Sequence, residues 1–314
     1  MLDIFYYDSR LKRGKLEDLS FIKNHRIWID ATHISEEEAE LLAKLFKLHE
    51  VSKEDIFLSH GRIKVEEFPN YMFCTFYSLQ KEGDSVKLMP IEFVLGYNFL
   101  ITAHKRTVHC YEKIKEREDI LEKLFVKGVC FIFHRVLDEE IDNFIPVLEE
   151  IDDEIEKLDE ELAVKAKPEI LNKILLLKKK IVEIKKITLP QREKISFLSR
   201  KEYKFLPKST QPYFRDVYDE SIRLEDVVDN HREMIGTTFD TYMTSINNHM
   251  SEIMKVLSII ATIALPLTAI SGIYGTNFIT LPGSKTNYGF WVMIMIMTVI
   301  MVGMLLFFKK RKWF

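Results

Sequence analysis

Two long uncharged runs near the end of this sequence constrain its fold more than anything before them. Val256 to Ser284 is 29 residues without a charge, and Thr286 to Phe308 is another 23. The first opens with VLSIIATIALPLTAISGIY, 19 residues to Tyr274, and the second contains GFWVMIMIMTVIMVGMLLFF, 20 residues from Gly289. At about 1.5 Å per residue each would span roughly 30 Å as a helix, the thickness of a bilayer's hydrocarbon core. Core helices of a soluble protein are the alternative, but the sequence offers nothing after these runs to pack over them. Two membrane spans are therefore predicted. The opening residues MLDIFYYDSRLKRGK contain no apolar stretch of signal length, so no signal peptide is expected.

Charge is divided sharply along the chain. No acidic residue follows Glu252, and after Lys255 there are five basic residues (Lys285, Lys309, Lys310, Arg311 and Lys312). Removing those five from 45 leaves residues 1–255 with 40 Lys and Arg against 48 Asp and Glu, a net of −8. An acidic body of that kind repels phosphates, which argues against a nucleic-acid partner and suits cations. The basic cluster directly after the second run, against Lys285 alone between the runs, places both termini in the cytoplasm and the short loop outside. The expected location is the plasma membrane, with the lipid bilayer as a partner. Cys74, Cys110 and Cys130 are scattered and odd in number, with no disulfide framework and no CxxC metal knuckle.

The first 130 residues read as an α/β sheet domain. Arg26–Asp30 (RIWID), Tyr71–Leu79, Ile91–Leu95 and Phe99–Ala103 are strand-like, with a turn at Gly96-Tyr97-Asn98. Ser35 and Glu38 form a capping box that opens a helix to about His49, and residues 109–125 look helical. Neither GxGxxG nor GxxxxGK[ST] occurs, so no nucleotide loop, organic cofactor or ATP-driven pump is expected. No arrangement of His and carboxylates suggests an enzyme.

From Gly128 the pattern is helical. Asp138–Glu161 carries 13 acidic residues and one Lys; Lys165–Lys194 carries ten basic residues and three acidic. With apolar positions at three and four spacing, this predicts an antiparallel pair with an acidic and a basic arm. A solvated, salt-bridged hairpin is the plainer account; an acidic arm that gathers cations, or a basic arm touching the membrane surface, is the functional one. Between Pro212 and Pro266 no proline intervenes, so Tyr213–Leu265 could run as one helix of 53 residues into the first span. A single chain cannot pack a helix of that length, and several copies side by side can. Ser251, Met254, Leu257, Ala261, Leu265, Thr268 and Gly272 share one face of it. That stripe suits the axis of a pore, closed by dewetting at Leu257 and Leu265, or equally the small-residue packing of neighbouring helices.

Tyr274-Gly275-Thr276-Asn277-Phe278, directly after the first run, resembles the YGMNF signature of the CorA family of divalent-cation channels. MKVLSIIATIALPLTAISGIYG, the KKRKWF ending, PYFRDVYDE at Pro212–Glu220 and KVEEFPNYMF at Lys64–Phe73 are similar to other segments of that family. The resemblance implies an α/β cytoplasmic domain, a long stalk helix and two C-terminal spans assembled as a funnel-shaped homopentamer. The division it suggests is 1–130 for the α/β domain and 131–211 for the helical hairpin. The stalk and first span then cover 212–274, the outer loop 275–288, the second span 289–308 and the basic tail 309–314.

The resemblance further implies a selectivity filter at Gly275, Thr276 and Asn277, where neutral oxygens contact a hydrated Mg²⁺ that sheds its water reluctantly. It also implies regulatory Mg²⁺ held between subunits by Asp55 (in KEDIF) and Asp216 (in FRDVYD). Either Asp could instead be a surface charge, and Asp55, shortly after Ser52 at an expected helix start, a cap. Thr276 stands where the family has Met. Lys285 is the charged residue of an outer loop that has no carboxylate, so attraction of cations at the mouth should be weak. Three functions stay open: passive Mg²⁺ uptake with passage of Co²⁺ or Ni²⁺, transport of Zn²⁺ or another transition metal, or a membrane-anchored structural role without flux. The stripe contains no Cys or His, which weighs against soft-ligand capture.

Overall fold

The computed structural model describes residues 1–313 apart from His60, Asp84, Ile279, Thr280, Ser284, Lys285 and Asn287; the expectation for Lys285 lies outside the described residues. The chain forms two compact units, Met1–Glu161 with Lys167–Phe239, and Leu162–Ala166 with Asp240–Phe314.

The first unit is built on a seven-stranded sheet in the order β2-β1-β3-β7-β6-β5-β4. The strands are β1 (Leu2–Asp8), β2 (Arg10–Gly14), β3 (Arg26–Thr32), β4 (Lys64–Glu67), β5 (Met72–Glu82), β6 (Ser85–Leu95) and β7 (Phe99–His104). All pairs are antiparallel except β3 with β7. The turn at Gly96 is tight because a Cβ there would collide with the Phe99 ring. Asn98 closes it by donating from Nδ2 to the carbonyls of Lys23 (2.8 Å) and His25 (3.0 Å).

One sheet face carries α1 (Leu19–Ile22), α2 (Glu36–Phe46) and α3 (Glu50–Leu58) over a core that includes Ile29, Ile101, Val94, Leu42 and Ile56. The capping box of α2 is present: Glu38 N–H donates to Ser35 Oγ (3.2 Å) and Ser35 N–H to Glu38 Oε2 (2.9 Å). The start of α3 differs from expectation. His49 caps it through Nδ1, while Ser52 is buried against the Tyr71 hydroxyl at 2.8 Å. Asp55 therefore sits in the body of α3, and the cap reading of it does not hold.

The other face carries α4 (His109–Glu116), α5 (Glu118–Lys127) and α6 (Val129–Asp142). Phe133 of α6 bridges Phe93 of the sheet (centroids 5.2 Å) and Phe214 (5.5 Å). Beneath α4 lies a buried charge network. Asp30 Oδ1 accepts from Thr102 Oγ1 (2.5 Å) and lies 2.9 Å from His104 Nε2; Oδ2 meets Lys115 Nζ at 2.7 Å. The same ammonium reaches Asp3 (2.6 Å) and Glu112 (2.9 Å), so it fills the centre of three carboxylates whose oxygens lie within 4.8 Å of one another.

The helices α7 (Ile145–Val164) and α8 (Pro168–Arg200) form the expected pair. Ile151, Ile155, Leu158, Ile174, Leu177 and Ile181 are buried along it. Lys173–Glu161 (2.9 Å) and Lys180–Glu154 (3.2 Å) cross between the arms. Exposed pairs of this kind contribute at most about 1 kcal/mol each, so apolar burial holds the pair and charge sets its direction.

The helix that follows is longer than its prolines suggested. α9 runs from Gln211 to Tyr274, 64 residues. Pro212 lies in its first turn, where the missing N–H has no helical partner to lose. Pro266 is carried within it at the cost of one backbone bond, which an otherwise continuous apolar helix tolerates. The last helix, α10, spans Gly289–Lys310.

Candidate functional site

Within the second unit, the last two turns of α9 lead straight into Gly275-Thr276-Asn277. Gly275 N–H still donates to Ser271 O (2.9 Å) and Thr276 N–H to Ile273 O (3.2 Å), so the helix tightens as it ends. A Cβ on Gly275 would stand 3.1 Å from the Ser271 carbonyl, closer than a side chain normally sits. Thr276 turns its hydroxyl back to Ile273 O at 2.7 Å. Asn277 is exposed, and among the described residues its carboxamide has no hydrogen-bond partner. Tyr274 Oη donates to Pro282 O (3.3 Å), tying the helix end to the loop.

All seven stripe residues, Ser251 through Gly272, are exposed on α9 in the single chain. A narrow strip on the other side is partly covered, with Ile259 buried and Lys255, Ile263, Leu267 and Ile270 half-buried, while Val256 and Ile260 beside it are exposed. The hydroxyl-bearing residues of this span are satisfied within it. Ser251, Ser258, Thr262 and Thr268 donate to carbonyls four residues earlier at 2.7–3.0 Å, and Ser271 to Thr268 O at 3.1 Å. Hydroxyls satisfied within their own helix do not need a watery axis. What supports a pore is the alignment of the exposed stripe with the turn that follows it, not its polarity.

Two helices, the one ending at Tyr274 and Gly289–Lys310, are long and apolar enough to cross a membrane; their most apolar stretches are 6% and 0% buried. Apolar helices that the chain leaves this open need lipid or other copies to cover them.

In the first unit, Asp55 and Asp216 are not joined to each other. Asp55 Oδ2 pairs with Lys64 Nζ at 2.7 Å, with both side chains about a quarter exposed. Burial works to lower the Lys64 ammonium's pKa, but Asp55 and Glu66 outweigh it and hold it above the usual value. Asp216 is exposed on α9 and has no ion pair among the described residues. It stands instead in a carboxylate group that sequence reasoning missed. Burial, with Asp142 and Asp216 nearby, pushes Asp138 up to about 6, and burial with Asp138, Asp142 and Asp216 pushes Glu220 up to about 7. The available signal was like charge at i, i+4, at Asp138/Asp142 and Asp216/Glu220, a spacing that costs helix stability and so calls for a reason.

Below α3 lies one more unusual carboxyl. Glu92 is 0% exposed on β6; its Oε2 accepts from Ser59 Oγ (3.1 Å), and its Oε1 has no hydrogen-bond partner among the described residues. Burial first, then Asp55, push it up to about 8, against the Ser59 bond and Lys105. A carboxyl that is neutral in the fold and ionised in the unfolded chain stabilises below its unfolded pKa, and that contribution is lost as pH rises toward 8. Denaturation of the detergent-solubilised protein at pH 5 and pH 8.5 should show a loss on the order of 3 kcal/mol. Glu92→Gln should remove most of it; an identical loss in the variant would mean that Glu92 is ionised in the fold.

Comparison with known proteins bears on both the fold and the helix-end turn. A family model described as CorA-like Mg2+ transporter protein matches residues 23–310. The chain belongs to the CorA family. It is 34% identical over 293 residues to the cobalt/magnesium transport protein CorA of Thermotoga maritima, covering 91% of this chain and 83% of that one. The protein of the same description from Methanocaldococcus jannaschii is 27% identical over 98% of this chain and 97% of its own. In fold, the chain is similar to the complete structure of the CorA magnesium transporter from M. jannaschii, with a TM-score of 0.90 at 24% identity over 100% and 99% of the two chains. That likeness covers the soluble α/β part, the long helix and the two C-terminal apolar helices of the CorA fold.

Proposed function

We propose that this CorA protein is a passive Mg²⁺ uptake channel that also admits Co²⁺ or Ni²⁺. In this proposal it works as a homopentamer in the plasma membrane, with both termini cytoplasmic. The reading is carried by one continuous helix, α9, which leaves the face from Ser251 to Gly272 uncovered and ends in the Gly275–Asn277 turn. It is supported by relatives named as cobalt/magnesium transport proteins. Five copies of α9 would turn that face to a common axis, with Leu257 and Leu265 as its apolar constrictions. Because Thr276 Oγ1 already serves the Ile273 carbonyl, the ring at the mouth would offer the Asn277 carboxamide and backbone carbonyls to the ion's water shell. An inside-negative potential would favour entry by about 4.6 kcal/mol per 100 mV for a divalent ion.

Flux into proteoliposomes at set voltage, with Mg²⁺, Co²⁺, Ni²⁺ and Zn²⁺ compared, tests this. Voltage-driven Mg²⁺ entry is expected. Zn²⁺ entry without Mg²⁺ would replace the substrate, and no flux would overturn the reading.

For regulation we propose that internal Mg²⁺ bridges Asp55 of one subunit and Asp216 of its neighbour and holds the pore shut. Lys64 is then a competitor within the chain, since the ion must draw Asp55 from an ammonium 2.7 Å away. Asp55→Asn with Asp216→Asn should raise flux several-fold at high internal Mg²⁺ and leave it unchanged at low internal Mg²⁺. An unchanged response to internal Mg²⁺ would rule the sensor out.

A further inference from the structure

The first unit contains a groove of ≈ 360 Å³ between α6, α7 and α9 that conduction does not use. On its α9 side, Glu220, Leu224, Val227 and His231 follow one another at i, i+4, i+7 and i+11, a single helix face roughly 16 Å long. Ile141 and Leu148 complete an apolar middle, and Asp142 and Asp152 stand on the facing helices.

The two ends of that face have the same unmet need. At one, Glu220 Oε2 is buried with no hydrogen-bond partner among the described residues. At the other, His231 is 4% exposed; its Nε2 lies 3.4 Å from Asp152 Oδ1, and its Nδ1 is buried without a partner among the described residues. With the Nε2 proton directed at Asp152, Nδ1 carries the lone pair. Acceptors without donors are costly when buried, so each end calls for a donor. Four carboxylates line the groove (Glu149 is the fourth) against one arginine, Arg223, which is exposed.

We propose that this groove binds a linear aliphatic polyamine. One terminal ammonium would sit at Glu220 and Asp142, and the other at His231 and Asp152. The methylene segments would lie along Leu224 and Val227, with the internal ammoniums turned to Glu149 and the open side of the groove. A hydrated metal ion would meet one end and leave the apolar strip uncovered, and a short diamine would not reach both.

Calorimetric titration of the intact protein in detergent, with Mg²⁺ in excess to saturate sites for simple charge, should give one spermine site per chain. Putrescine should bind at least tenfold more weakly, because it satisfies one end only. Glu220→Gln and His231→Phe, which keep shape, should each weaken spermine about tenfold, the value of a hydrogen bond to a charged group. Asp142→Asn gives a further variant of the Glu220 end, and the exposed Glu160→Gln, which changes net charge equally, should leave affinity within twofold. Equal affinities for spermine and putrescine, no site on the intact protein, or unchanged affinity in folded Glu220→Gln and His231→Phe would each overturn the proposal.

Discussion

Asn277→Ala is expected to abolish selective Mg²⁺ flux while leaving folding and assembly intact. The carboxamide is exposed and has no partner among the described residues, so removing it breaks no internal bond. The turn that presents it is held by other atoms: Gly275 N–H, Thr276 N–H and Thr276 Oγ1 all bond back to α9. In the proposed pentameric channel, the variant removes contact with the ion's water shell, once per subunit. At even about 0.5 kcal/mol each, five such contacts exceed the ~1.4 kcal/mol that makes a tenfold change. Flux should therefore fall more than tenfold at unchanged oligomer size and melting temperature. Retained Mg²⁺ flux in a folded variant would move the filter elsewhere on α9. Loss of flux together with loss of assembly would show a structural role for Asn277.

Much of this architecture could be read from the sequence because its signals are local. The uncharged runs are continuous in sequence, and the Ser35/Glu38 box and the Gly96-Tyr97-Asn98 turn each lie within a few residues; the box, the turn and the two apolar helices all appear in the structure. Where local rules and tertiary context disagreed, context prevailed. β6 begins at Ser85 although Pro90 interrupts it, and pairing of β6 with β7 ends at Ile91. The proline thus sits where that side of the strand needs no donor. Pro266 stays within α9 at the cost of one backbone bond. The stripe on α9 was visible as a helical face, but that its hydroxyls bond back to their own helix was not. The carboxylates around Asp216 showed only as like charges at i, i+4, and the network at Asp30 was not legible. Asp30 lies 72 residues from Thr102 and 74 from His104 in the sequence, and only folding brings them together. A lone Asp in the apolar strand RIWID was their one trace.

That network yields the largest stability effect expected. Lys115→Met should cost about 3–5 kcal/mol, the usual price of leaving a buried charge without its partner. The ammonium is 5% exposed and reaches Asp30, Asp3 and Glu112 within 2.9 Å. Burial works to raise the Asp30 carboxyl's pKa, but His104 and Lys115 outweigh it and hold it below the usual range. Its stabilising contribution is therefore present above the unfolded value of 3.8 and is lost as pH falls through the folded one. Without Lys115, burial is opposed by His104 and Thr102 alone, and the pH dependence of Asp30 should weaken or reverse. The deficit measured by denaturation should accordingly be small near pH 4 and grow toward neutrality. Asp30→Asn in the same background should cost less than it does alone, because the two groups act as one unit. A deficit that does not change with pH, with the two substitutions strictly additive, would assign the loss to side-chain packing and leave the charge network without an energetic role.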